Sequence, residues 1–165
     1  MTIARAWPEA EVVGLDPDTA SIAEARRGAE EAGLDHVTFV DRTTTDYAGP
    51  GGFALVTLMD VLHDLPDPVA TLREIRGLMA EDGALFVMEP KAADTLEGNM
   101  TPLGTVYYGF SLFHCMTQSL ANGGPGHGTC MGPAKTRALL TEAGFGRVVD
   151  LPIRSATNLF YAARA

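Results

Sequence analysis

His63 and Asp64, adjacent in Leu62-His63-Asp64, are the residues of this sequence best suited to acid–base chemistry. A histidine titrates near neutral pH and can take the proton of a hydroxyl nucleophile, while a neighbouring carboxylate can fix its tautomer or cap the turn. The plainer reading is a structural histidine at the start of a connection. Asp16 ends the short apolar run Val12-Val13-Gly14-Leu15. A carboxylate at the carboxyl end of a parallel strand can accept both hydroxyl hydrogens of a ribose, although an acid there can also cap the next helix. His114, Cys115, His127 and Cys130 have zinc-ligand chemistry, but adjacent His114-Cys115 is poor spacing for two ligands on one ion, and no metal is expected. Tyr107, Tyr108, Phe110 and Phe113, with His114 beside them, form an apolar wall that either lines an aromatic substrate site or belongs to the core.

The elements that must position these residues alternate. Glu11 to Asp16 reads as a strand buried on both faces of a parallel sheet. From about Thr19 to Ala32, Ile22, Ala25, Ala29 and Ala32 recur at helical spacing, with charges opposite and Gly33 as the left-handed cap. Val37 to Val40 is a second strand, and the apolar run Phe53 to Met59 a central one. Asp67-Pro68 starts a helix whose stripe, Val69, Leu72, Ile75 and Leu78, ends at Gly83, and Ala84 to Met88 closes the unit. This rhythm predicts an α/β, doubly wound, mostly parallel sheet with helices on both faces. From Lys91 to Gly132 the pattern breaks, as in lids and substrate-binding insertions. A helix from Pro133 to Ala143 then leads into two closing strands, about Arg147 to Leu151 and Asn158 to Ala163.

Val12 to Asp18 resembles the second strand and terminal acid of the class I S-adenosylmethionine-dependent methyltransferases, Met59 to Asp64 their segment after the fourth strand, and Glu142 to Phe145 their last helix. Asp46-Tyr47, Leu62-His63-Asp64, Asp67-Pro68, Met88-Glu89-Pro90 and Tyr107-Tyr108 resemble, more closely, the C-terminal part of bacterial small-molecule methyltransferases that carry an N-terminal winged helix. The resemblance implies S-adenosylmethionine as cofactor and a small-molecule acceptor attacked at oxygen. It implies His63 as the base, Asp16 on the ribose, Thr43 and Thr44 at the adenine positions, and Met59 and Asp60 against the cofactor. The chain also departs from the family. The glycine-rich turn should lie ~20 residues before the ribose acid, and counting back from Asp16 runs past Met1. The expectation is therefore a partial domain without the first strand and its loop, leaving a gap in mid-sheet that must close, be filled or weaken the fold. The winged helix of such relatives supports dimerisation, so a homodimer is a further expectation.

The chain has 165 residues, 46% apolar and 20% charged, enough for one ordinary domain with a sizeable core. Disorder and collagen-like character are excluded. With 21 acidic against 12 basic residues, the formal charge of -9 repels a phosphate backbone, so direct nucleic-acid binding is not expected. No apolar stretch approaches the ~20 residues of a membrane span. Trp7-Pro8-Glu9 arrives before a signal-peptide apolar region could form, and two cysteines make no disulfide framework, which places the chain in the cytoplasm. The alternative to an enzyme is a non-catalytic fragment or assembly subunit that has lost the cofactor loop. A dehydrogenase-like piece shares Asp16 but explains neither His63-Asp64 nor the closing hairpin.

Overall fold

A computed structural model describes residues 1–165, which form two compact units, 1–49 and 50–165. The first holds α1 (Thr2–Ala6), β1 (Val12–Leu15), α2 (Thr19–Glu31) and β2 (Val37–Val40), with β1 and β2 parallel. Asp18 caps α2, its carboxylate accepting the N–H groups of Ala20 and Ser21. Arg26 on α2 donates to the Phe39 carbonyl through Nε at 3.0 Å and Nη2 at 2.7 Å, tying helix to strand. Gly14 pairs with Phe39 across the ladder, and a Cβ there would lie 2.6 Å from the Phe39 ring, so the aromatic occupies the space that a side chain would need.

The second unit contains β3 (Phe53–Met59), α3 (Pro68–Leu78), β4 (Met79–Pro90), α4 (Pro102–Phe110), α5 (Met116–Ala121), α6 (Pro133–Glu142), β5 (Arg147–Asp150) and β6 (Asn158–Arg164). Its sheet has the order β3-β4-β6-β5, with β3 and β4 parallel and the other two pairings antiparallel. The α/β class and the antiparallel closing hairpin are as the sequence predicts, while the strands hydrogen-bond into two sheets, one in each unit. On β4, Leu85, Val87 and Glu89 are buried and alternate with half-buried Ala84, Phe86 and Met88, the period-two pattern of a strand with one fully covered face. That covered face meets Leu72 and Ile75 of α3 and Leu139 and Leu140 of α6, with Tyr161 and Ala163 of β6 completing the core. β5 is an edge strand, and its Arg147 lies directly opposite Arg164 of β6.

One sequence expectation needs correction. The helix after Asp67-Pro68 stops at Leu78 rather than at Gly83, because Met79 is already extended (φ -76°, ψ 153°) and pairs with Phe53. Gly83 instead lies where the ladder is irregular between Phe53 and Leu55 and the backbone crowds in, an ideal Cβ there falling 2.8 Å from the Phe53 carbonyl oxygen. The segment 91–132, where the strand–helix alternation breaks, is helical in its middle. Thr101 accepts the N–H of Gly104, Pro102 takes the first helical position, and a helical run continues through α4, a π-turn at Ser111–Cys115 and α5. Thr101-Pro102 is the same start signal as Asp67-Pro68. A Cβ on Gly104 would overlap the Asn99 carbonyl oxygen, so this glycine lets the chain before α4 fold back against the helix.

Candidate functional site

The carboxyl ends of β3 and β4 and the start of β6 bound a cleft of about 420 Å³ in the second unit. Its lining includes Asp60, His63, Asp64 and Pro90, with Tyr107, Phe110, His114, Cys115 and Thr129 from the segment after β4. Clefts at the carboxyl ends of parallel strands are where α/β sheets place ligands, since helix N-termini and loops converge there.

Asp60 leaves β3 with φ 54°, the only non-glycine residue with positive φ, a conformation that aspartate tolerates better than most. The ladder still reaches it, Asp60 donating its N–H to the Met88 carbonyl at 2.9 Å. Its carboxylate accepts both contacts of Asn158 Nδ2, at 3.0 and 3.3 Å, which ties the exit of β3 to the entrance of β6. Partial burial pushes Asp60 above the usual carboxylate range, against the favourable charge of His63 and the bond from Asn158. Met59, just before it, is exposed.

A single 3-10 turn, Leu62–Asp64, follows and sets His63 under the strand ends. His63 and Glu89 are each 3% exposed. Glu89 Oε2 lies 2.7 Å from His63 Nδ1, and Glu89 Oε1 accepts the backbone N–H of Leu62 at 3.0 Å. A carboxylate can only accept, so it places the ring proton on Nδ1 and leaves Nε2 as the reactive nitrogen. Nε2 lies 3.3 Å from Asp64 Oδ1. Burial opposes charge on the ring, but the hydrogen bond and charge of Glu89, joined by the charges of Asp64 and Asp60, outweigh it and hold His63 above the ordinary histidine value.

The sequence expectations divide by position. Tyr107 is buried, lines the cleft and donates its hydroxyl to the Thr157 carbonyl, while His114 is exposed at the rim. Tyr108 and Phe113 are not among the lining residues, and Phe113 is 82% exposed. In the first unit Asp16 is exposed just beyond β1, with Oδ1 accepting the Asp18 N–H at 2.8 Å. The helix cap belongs to Asp18, so Asp16 is not held in the capping role that its position also allowed. Thr43 Oγ1 donates to Asp46 Oδ2 at 2.9 Å, and Thr44 is half-buried in the same turn. Glu89 and Asn158 carry no role in the sequence reading. Glu89 had a signal, a charged residue closing an apolar run, since such residues are rarely buried without a partner.

A family model described as a methyltransferase domain matches residues 1–144. The chain belongs to that family. Among curated relatives of this methyltransferase domain, the ubiquinone biosynthesis O-methyltransferase of Actinobacillus pleuropneumoniae serotype 7 is 34% identical over 84 residues, covering 47% of this chain and 35% of the relative. The trans-aconitate 2-methyltransferase of Afipia carboxidovorans is 24% identical over 92 residues, covering 56% of this chain and 34% of its own length. An O-methyltransferase family protein from Burkholderia thailandensis has a TM-score of 0.72 at 19% identity, covering 98% of this chain and 46% of that one. PigF, solved with SAH, has a TM-score of 0.75 at 18% identity over 100% of this chain and 46% of that one. The chain thus spans about a third of the curated relatives and under half of these solved chains. No helix is long and apolar enough to cross a membrane.

Proposed function

We propose that this methyltransferase domain transfers a methyl group from S-adenosylmethionine to a hydroxyl oxygen of a small molecule, with His63 as general base. The observation that carries the reading is a buried histidine at the cleft whose Nδ1 is held by Glu89 and whose Nε2 lies 3.3 Å from Asp64 Oδ1. The donor supplies a methyl group activated by its sulfonium charge. Asp16 fits the ribose of that donor, because only one of its carboxylate oxygens is engaged, by the Asp18 N–H, and a carboxylate accepts well from paired hydroxyls. Thr43 and Thr44 follow β2 at the adenine positions, where the Thr43 oxygen, having given its hydrogen to Asp46, can accept from an amine. In the second unit, Met59 and Asp60 at the exit of β3 take the cofactor-facing role.

His63 Nε2 removes the acceptor hydroxyl proton as the oxygen attacks the methyl carbon and the carbon–sulfur bond breaks. The imidazolium formed is flanked by Glu89 and Asp64, which stabilise the charge until the proton passes to solvent. Tyr107, Phe110 and His114 form the wall against which an aromatic acceptor would lie, and orientation there supplies much of the rate. Tyr108 and Phe113, which do not line this cleft, have no place in that wall.

The test is calorimetric titration with S-adenosylmethionine and S-adenosylhomocysteine, followed by methyl-labelled donor against a panel of phenols and catechols. Binding that falls at least tenfold in Asp16→Ala, and methyl transfer that falls by roughly 10²–10⁴-fold in His63→Ala with binding intact, are the expected results. No affinity for either nucleoside overturns the reading in favour of a non-catalytic module.

A further inference from the structure

The zinc-type residues of the sequence, His114, Cys115, His127 and Cys130, do not form the group that the fold assembles. Instead Cys115 Sγ comes together with a ring nitrogen of His63 and a carboxylate oxygen of Asp64, all three atoms lying within 4.8 Å of one another. His63 and Asp64 come from the 3-10 turn after β3, while Cys115 ends the π-turn between α4 and α5. Such an irregular turn within a helix changes the angular spacing of its side chains, and π-turns occur often at functional sites.

The chemistry around these atoms is unbalanced. Asp64 Oδ1 is shielded from solvent with no donor in good hydrogen-bond geometry, although the Cys115 thiol interacts with the same carboxylate. Nε2 of a neutral ring protonated on Nδ1 presents a lone pair toward that same oxygen, 3.3 Å away. Cys115 is buried, its sulfur accepting the Thr129 hydroxyl at 3.1 Å, while burial and the Asp64 carboxylate beside it favour the thiol over the thiolate. The Cys115 thiol donating to Asp64 is one way to complete this group, a proton on Nε2 a second, and a divalent cation, which engages all three ligand atoms at once, a third.

We propose that His63, Asp64 and Cys115 form a binding site for a borderline-soft divalent cation of the zinc type. Imidazole, carboxylate and thiolate are all zinc ligands, and bond lengths of about 2.0–2.3 Å place neighbouring ligand atoms of a tetrahedron roughly 3.3–3.8 Å apart. The His63–Asp64 separation already falls in that range, and the sulfur needs only a small approach. Glu89 on Nδ1 is the outer carboxylate that orients a metal-binding imidazole. Binding releases the Cys115 thiol proton, and any proton on Nε2, to solvent. Three protein ligands leave a fourth tetrahedral position for water. Occupancy of Nε2 removes the lone pair assigned to the base, so the cation is an inhibitor of methyl transfer; the site itself stands independently of that assignment.

The experiment is titration of the chelator-treated chain with Co²⁺, a spectroscopic substitute for Zn²⁺ that needs neither donor nor acceptor. The expected result is a thiolate-to-cobalt absorption in the near ultraviolet with intense visible bands of a four-coordinate ion, saturating at a single equivalent and bleached by Zn²⁺. Cys115→Ser loses the thiolate band and Cys130→Ser keeps it. Absence of the band in the unaltered chain, its persistence in Cys115→Ser, or its loss in Cys130→Ser overturns the proposal. Because Cys115 is buried and its variant could unfold, the unaltered chain is also alkylated with and without Zn²⁺. Protection of Cys115 by the metal supports the site, and equal labelling refutes it.

Discussion

Glu89→Gln preserves the shape of the side chain that holds His63 and removes its charge. In the native chain both carboxylate oxygens accept, one from His63 Nδ1 at 2.7 Å and one from the Leu62 N–H at 3.0 Å. A carboxamide has one acceptor oxygen, so the substitution must turn an NH₂ toward either the ring or the backbone donor. Hydrogen bonds to charged groups contribute about 1.5–3 kcal/mol, and solvent screens this one little because both partners are 3% exposed. Losing that stabilisation of the imidazolium lowers the His63 pKa from its raised position. The assay is an NMR titration of the four imidazoles, with His63 assigned by the signal that His63→Gln removes. His127 is a useful internal contrast, since burial, aided by Lys135, holds it below the ordinary value while His63 is held above it. For an acceptor once found, the neutral base accumulates as pH rises through this raised pKa. The acid limb of kcat/KM therefore lies above the ordinary histidine value of about 6.5 and moves down in Glu89→Gln. A His63 titration that superimposes in the two proteins refutes the pairing as the source of the shift.

Three further outcomes are expected. Gly104→Ala destabilises by about 1–3 kcal/mol in urea denaturation, because the added methyl overlaps the Asn99 carbonyl; helix propensity alone would stabilise by about 1 kcal/mol, so the sign decides. Tyr107→Phe costs about 1 kcal/mol through loss of the bond to the Thr157 carbonyl, and an unchanged denaturation midpoint would show that tether to be idle. Leu85→Ala, at a fully buried position facing α3 and α6, costs about 2–5 kcal/mol, read as a fall in Tm; a change under 1 kcal/mol would contradict the core described.

Short-range patterns were legible in the sequence. The apolar run Phe53 to Met59, the stripe Leu72 and Ile75, and the cap at Asp67 appear as a strand, a helix and its start because each signal is carried by neighbours. His63 was also visible, as a titratable group between two elements. Its partner was not, because Glu89 lies 26 residues away and joins it only when β4 pairs with β3. Cys115 was visible as a residue of zinc-ligand chemistry, but the residues it meets, His63 and Asp64, lie on another element and were hidden for the same reason. The bounds of the helical run from Pro102 to Ala121 were not legible, because its irregular middle turn, glycines and aromatics dilute helical periodicity.

Arg147 and Arg164 stand side by side at the open margin of the sheet, where like charges weaken the hairpin that carries them. The arrangement has a use outside the fold. A second polypeptide trying to continue the ladder along β5 would have to pack against two adjacent guanidinium groups, so this border resists fibrous growth and uncontrolled self-association at a modest local cost.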